Sequence, residues 1–253
     1  MAFKFNNGNG AIVCDHCSTI IKVNISLEEY NQISNGVDIC DKCKTSVQEV
    51  DNFDLLVNNL NFNTKDEFYF LQVIQRKKDG NITPSNHNGY RTIKSYCIYS
   101  REQLLNKKDK IKELCIKNNA RAYIWLNRRN AQEVALQAIQ DYAKLISEDN
   151  ANYCYKVYDS VCGKVRAKSY KALWVVDVDS KDEEFLDKVR TLINECRGNQ
   201  DNKIVMEVPT LHGTHLITTG FDTNQFAQYC VIRNLGRIDI QKDNPTLLYY
   251  RVP

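Results

Sequence analysis

The sequence predicts an α+β protein, and three observations carry that prediction. Short β-branched and aromatic runs, such as Phe68 to Gln75 and Leu173 to Ser180, alternate with stretches whose apolar residues recur at helical spacing. Two C-x-x-C pairs, Cys14/Cys17 and Cys40/Cys43, sit near the N-terminus at the spacing of a four-sulfur metal site. From residue 173 onward the elements read β-α-β-β-α-β, the split βαβ order of ferredoxin-like (RRM-like) sheets.

The bulk numbers agree with a folded chain. At 253 residues there is room for one good-sized domain and a small one. With 43% hydrophobic residues, 4 Pro and 10 Gly, the composition argues against disorder. A net charge of +3 permits a nucleic-acid partner without requiring one. No apolar run approaches the roughly 18 residues of a membrane helix, and "MAFKFNNGNG" lacks the apolar core of a signal peptide. The expectation is an intracellular, cytoplasmic protein with no membrane partner. Cys97, Cys115, Cys154, Cys162, Cys196 and Cys230 are scattered among apolar residues; they read as small buried hydrophobes with no functional role.

Residues 1–50 form the expected zinc ribbon, in which Cys14, Cys17, Cys40 and Cys43 hold one structural Zn²⁺, because so short a segment cannot build a core unaided. Residues 51–66, rich in Asn and Asp, read as a linker with one helical turn. Residues 67–150 form an αβ unit. Its strand from Phe68 to Gln75 is followed by a turn-rich loop, "DGNITPSNHNG", and a returning strand, "YRTIKSYCIYS". Leu104, Ile111, Leu114 and Cys115 then mark one helix, "ARAYIWLN" is a strand, and Asn130 caps a second helix with Glu133 three positions on. That helix presents Val134, Ala138, Ile139, Tyr142, Leu145 and Ile146 on its apolar face.

Residues 151–253 form the last unit. "YCYKVYDSVCGKVRAKSY" reads as a connector, and "LWVVDVDS" as the opening strand. Ser180 and Glu183 make a capping box for the helix marked by Phe185, Val189, Leu192, Ile193 and Cys196. "KIVMEV" and "HLITTG" form a hairpin around "PTLHGT", "DTNQFAQYC" is a short helix, and "RIDI" and "TLLYY" supply one or two closing strands around "KDNP".

The chemistry gathers on the opening strand. Asp177 and Asp179 are two apart, so the pleat turns both to one face and Val176 and Val178 to the other. Two neighbouring carboxylates ask for a cation between them or for open solvent. His215 opens the second hairpin strand, and Asp239 lies on a later one. In a β-α-β-β-α-β sheet these strands can flank the first, bringing all of these groups to one cleft.

The pattern resembles the archaeo-eukaryotic primase superfamily, and within it the primase-polymerases of mobile and phage-like elements. "VVDVD" matches the family's hDhD motif. "TLHGTH" is similar to its S-x-x-G-x-H motif, with Thr210 in place of Ser, then Gly213 and His215. "ID" at 238–239 matches its hydrophobic-Asp motif, and "AYIWLNRRN" is similar to an N-terminal segment of many members. The likeness runs from about residue 65 to the end. It departs from the family in the tight spacing between His215 and Asp239, which makes Asp222 and Asp243 substitutes for the third carboxylate, and no helicase domain follows.

The resemblance implies a polymerase palm and template-directed nucleotidyl transfer in DNA replication, making or extending short RNA or DNA. Asp177, Asp179 and Asp239 would hold catalytic Mg²⁺ or Mn²⁺ through hard oxygen ligands. His215 would touch the incoming triphosphate, beside Thr210 and Gly213. Arg128 and Arg129 could take phosphates bidentately, and Arg76, Lys77 and Lys78 could track a template backbone. The implied partners are a single-stranded template, nucleoside triphosphates and a separate helicase. The rival expectation is a non-catalytic zinc-ribbon adaptor or nucleic-acid-binding protein that keeps a degenerate palm. On that reading His215 is a structural histidine and the arginines are a solvated surface.

Overall fold

The computed structural model describes residues 3–6, 9–13, 20–25, 48–79, 89–164, 172–198 and 200–252. They fall into two compact units, one of residues 1–48 with 251–253 and one of residues 49–250.

In the first unit β1 (Phe3–Asn6), β2 (Asn9–Val13) and β3 (Ile20–Ile25) form an antiparallel sheet in that order. Cys14, Cys17, Cys40 and Cys43 lie outside the described residues.

The second unit opens with β4 (Glu49–Asp51) and α1 (Phe53–Asn59). The expected linker is therefore part of the fold: Phe53, Leu56 and Val57 fall at i, i+3 and i+4 and are buried. Polar neighbours hide this short apolar stripe in the sequence. Next come β5 (Glu67–Arg76), a 3-10 turn (Lys77–Asp79) and β6 (Tyr90–Ile98). The single helix expected after β6 breaks at Lys107 into α2 (Arg101–Asn106) and α3 (Lys108–Lys117), with the Ser100 hydroxyl accepting from Gln103 N. Following β7 (Arg121–Trp125) and β8 (Arg129–Asn130), α4 (Ala131–Ser147) starts on an Asn130 cap that accepts from Glu133 N, as the sequence predicts. Its expected apolar face is only partly used, since Ile139 and Ile146 are exposed. The expected connector contains a 3-10 turn (Ala151–Lys156) and α5 (Val157–Lys164).

The last elements are β9 (Trp174–Val178), α6 (Glu183–Glu195), β10 (Ile204–Pro209), β11 (Thr214–Thr218), α7 (Thr223–Ile232), β12 (Asp239–Gln241) and β13 (Pro245–Arg251). The cap of α6 is Asp182, which accepts from Glu184 N, and Ser180 Oγ accepts from Asp182 N instead of closing a capping box. A carboxylate one residue before the helix reaches its free N–H groups better than a hydroxyl two residues further back.

Two sheets result. One runs β4-β13-β7-β5-β6, with β8 on β5; the other runs β10-β11-β9-β12 with every neighbouring pair antiparallel. Of the two segments offered as closing strands, "RIDI" supplies β12 and closes the C-terminal sheet, while β13 joins the N-terminal one. Leu247, Leu248, Tyr249 and Tyr250 are all buried, as suits a strand lying between β4 and β7 and covered on both faces.

The second sheet buries both faces as well. Val176, Val178 and Leu216 pack with Leu186, Val189 and Ile193 of α6 and Phe226 of α7. On the other side, Val175, Val208 and Ile217 join Leu71, Ile124 and Leu248 of the first sheet. Two amide side chains clip the sheets together. Asn127 Nδ2 donates to Leu173 O at 2.8 Å while its Oδ1 accepts from Leu173 N at 2.7 Å, imitating a strand edge at the start of β9. Asn52 Nδ2 donates to Pro209 O and Leu247 O at 2.8 and 2.9 Å, one from each sheet. Among the described residues no helix is long and apolar enough to cross a membrane.

Candidate functional site

The site is built by strand register. On β9, Asp177 shares a face with Val175, and Val176 and Val178 face α6 and α7. Asp177 is paired directly with His215 of β11 on one side and with Asp239 of β12 on the other. Directly opposed residues of antiparallel strands point to the same face. His215, Asp177 and Asp239 therefore form one row across three neighbouring strands. Alternation puts Ile217 on the face of His215, and it is fully buried, so the row stands beside an apolar floor.

The turn before β11 fixes this row. Thr210 N donates to Gly213 O at 2.9 Å, and Gly213 N donates to the Thr210 hydroxyl at 3.1 Å. A Cβ at Gly213 would stand 1.9 Å from Val178 O and 2.7 Å from Ser180 N. Only glycine allows the hairpin to come that close to the end of β9. Thr210 and Gly213, expected to bind phosphate, are engaged in holding His215 beside Asp177.

His215 is clamped. Its Nε2 lies 3.4 Å from Asp177 Oδ1, and its Nδ1 lies 2.8 Å from Thr246 Oγ1. Thr246 belongs to β13 and is fully buried, so this imidazole joins the two sheets. The proton on Nε2 points toward Asp177, and Nδ1 and the Thr246 hydroxyl form the second contact. The Asp177 carboxyl is held below the usual carboxylate range, first by the hydrogen bond from His215, against the opposing effect of burial, and further by the charges of His215 and Arg76.

Arg76 lies near enough for its charge to favour the Asp177 carboxylate, and its Nη1 donates to Tyr123 OH at 3.0 Å. Lys77 is exposed in the turn after β5, and Lys78 follows it there. Arg128 and Arg129 differ from both expectations for them, the free phosphate ligand and the solvated surface. Both are buried. Arg128 pairs with Glu67 at 3.2 Å and donates to Thr64 Oγ1 at 2.6 Å. Arg129 Nε donates to Cys162 O at 2.6 Å, and its Nη1 donates to Asn127 O and Asp243 Oδ1 at 2.9 and 3.2 Å. A buried guanidinium needs such partners, so both arginines organise the interior.

Three other carboxylates separate clearly. Asp222 caps α7, accepting from Asn224 N and Gln225 N. Asp243 accepts from Asn127 and Arg129. Asp179 lies one residue past β9 and is exposed. Asp239 alone of the candidates for the third carboxylate shares the row with Asp177, and Arg237 Nε donates to it at 3.2 Å. Among the described residues no group of three or more His, Cys, Asp or Glu side chains is gathered so as to hold a metal ion. The strand register sets two hard carboxylates and an imidazole on one face of three adjacent strands, donor types that suit a divalent cation. Sequence reasoning missed Thr246 and the placement of Arg76, because neither carries a local motif.

No protein-family model, no curated protein and no solved structure matches this chain.

The clamp has a measurable consequence. His215→Ala removes the partner of a fully buried hydroxyl and is expected to cost about 1–3 kcal/mol, more than an open-cleft histidine would. Thr246→Val removes the other half, and the two changes together are expected to fall short of their sum by at least about 0.5 kcal/mol. Denaturant unfolding of the two single variants and the double variant measures this coupling; strict additivity would show that the contact contributes nothing.

Proposed function

We propose that the chain is a template-directed nucleotidyltransferase of primase-polymerase type, with a ferredoxin-like palm and an N-terminal zinc ribbon. The observation that carries this reading is the row His215–Asp177–Asp239 across three adjacent strands, one residue from each of three motifs by which the sequence resembles the primase superfamily. The sheet order β10-β11-β9-β12 supports it, because the Asp-bearing strand lies inside the sheet with the other two on either side.

Asp177 and Asp239, with Asp179 as the further carboxylate, are the residues that would hold Mg²⁺ or Mn²⁺, which would supply Lewis-acid activation of a hydroxyl and charge neutralisation at phosphate. The chain's own groups do the rest. His215, fixed by Thr246, presents Nε2 beside Asp177 at an unvarying position for a triphosphate oxygen. Arg76 adds positive charge on the same side. Val175 and Ile217 exclude water from beneath. The partners in this reading are nucleoside triphosphates, a single-stranded template and a separate helicase, in the cytoplasm.

A second reading is favoured by the clamp itself. A histidine tied to a buried threonine and an aspartate engaged by Arg237 also describe a palm retained for structure, in a zinc-ribbon adaptor that binds nucleic acid without catalysis. Primer synthesis on single-stranded templates, with ribo- or deoxynucleotides and Mg²⁺ or Mn²⁺, separates the two. The first reading expects short products from the wild type and none from Asp177→Ala/Asp179→Ala. Products from the double variant would remove the site assignment. Template binding without products would favour the adaptor.

The zinc ribbon is proposed on its cysteine spacing, with Cys14 directly following β2 and Cys17 preceding β3 in the sequence. Metal analysis is expected to find about one zinc per chain, lost on chelation and on Cys40→Ser. Zinc content unchanged by that substitution would disprove the four-cysteine site.

A further inference from the structure

Two of the scattered cysteines face each other away from the acidic row. Cys97 lies on β6 and packs against the cluster of Phe68, Phe70, Val134 and Val161, to which Cys162 of α5 belongs. Strand and helix are locked in a register that opposes the two thiols. Ser95 is two residues before Cys97, on the same face of β6, and its hydroxyl donates to Asp159 Oδ2 at 2.6 Å. Asp159 in turn is three residues before Cys162, one turn back along the same side of α5. Gln72 Nε2 donates to Ser95 Oγ at 3.1 Å and steadies the pair. Tyr158, four residues before Cys162, brings its hydroxyl to 3.8 Å from Cys97 Sγ.

The two thiols share this cluster closely enough to influence each other: Cys162 is the first cause that lowers the pKa of Cys97, and Cys97 the first that raises that of Cys162. The two positions differ in access: Cys162 is fully buried, whereas Cys97 is half-buried. One thiol is thus primed and reachable while its neighbour waits behind it. That is the arrangement of an attacking and a resolving cysteine.

We propose that Cys97 and Cys162 form a peroxide-sensitive thiol pair that closes to a disulfide and staples α5 to β6. The Cys97 thiolate attacks one oxygen of hydrogen peroxide, the O–O bond breaks, and the leaving hydroxide takes up a proton as water. Cys97 is then a sulfenic acid. The Cys162 sulfur attacks the Cys97 sulfur, the S–O bond breaks, and the departing hydroxyl leaves as water with the Cys162 proton. Two thiols lose two electrons and two protons, and one peroxide becomes two waters. The Arg129 hydrogen bond to Cys162 O connects the stapled helix to Asn127 and Asp243.

The test uses the full chain, treated with stoichiometric hydrogen peroxide, alkylated and mapped by peptide mass spectrometry. The expected result is a Cys97–Cys162 peptide pair that a reductant separates. In Cys162→Ser, Cys97 is expected to be trapped by dimedone as a sulfenic acid at several times the wild-type yield. Recovery of both cysteines alkylated, over-oxidation of Cys97 without a linked peptide, or Cys97 joined to another cysteine would each overturn the proposal. The wild-type map decides it even where the variant folds poorly.

Discussion

The pairing of β9 with β11 on one side and β12 on the other sets Asp177 opposite both His215 and Asp239, and a slip of one residue in either pairing would turn that row toward the helices. The register is fixed at both ends of the strand. At its start Asn127 grips Leu173 by both backbone groups. At its end Gly213 lies so close to Val178 that no side chain fits. In between, Val176 and Val178 fill the helix side of the sheet, where a carboxylate in the slipped register would be buried without a partner.

The same constraint explains the electrostatics. A carboxylate partly withdrawn from water needs compensating charge or donors, and Asp177 receives both from His215 and charge from Arg76. Because its pKa is lowered by folding, the stability it contributes is present above the unfolded carboxyl value of about 3.9 and is lost as pH falls through the lower folded value. His215 carries this interaction across the sheet junction, since its other nitrogen holds Thr246 of β13. One imidazole thus couples the orientation of the acidic row to the packing of the two sheets.

Much of this was legible in the sequence because it is local. The β-α-β-β-α-β order, the Asn130 cap and the alternation of Asp177 with Val176 and Val178 each rest on a few neighbouring residues, and the structure contains them. What escaped depends on distant partners. Nothing in "TLLYY" says that β13 joins β7 and β4 rather than β9 or β12. Arg128 and Arg129 have the look of surface charges until Glu67 and Asp243 arrive from far along the chain. In α1 the three buried residues are outnumbered by Asn and Asp. Thr246 has no signal of its own; it matters only because His215 is opposite. The zinc-ribbon cysteines, the strongest motif in the sequence, lie outside the described residues.

Titration of the Asp177 carboxyl by NMR, in metal-free solution, tests the central claim most directly. The account predicts a pKa below the ordinary aspartate value in the wild type and a rise toward about 3.9 in His215→Ala, since the hydrogen bond and charge that lower it are gone. An ordinary value in the wild type, or the same titration in both proteins, would contradict the claim that the register holds Asp177 and His215 together.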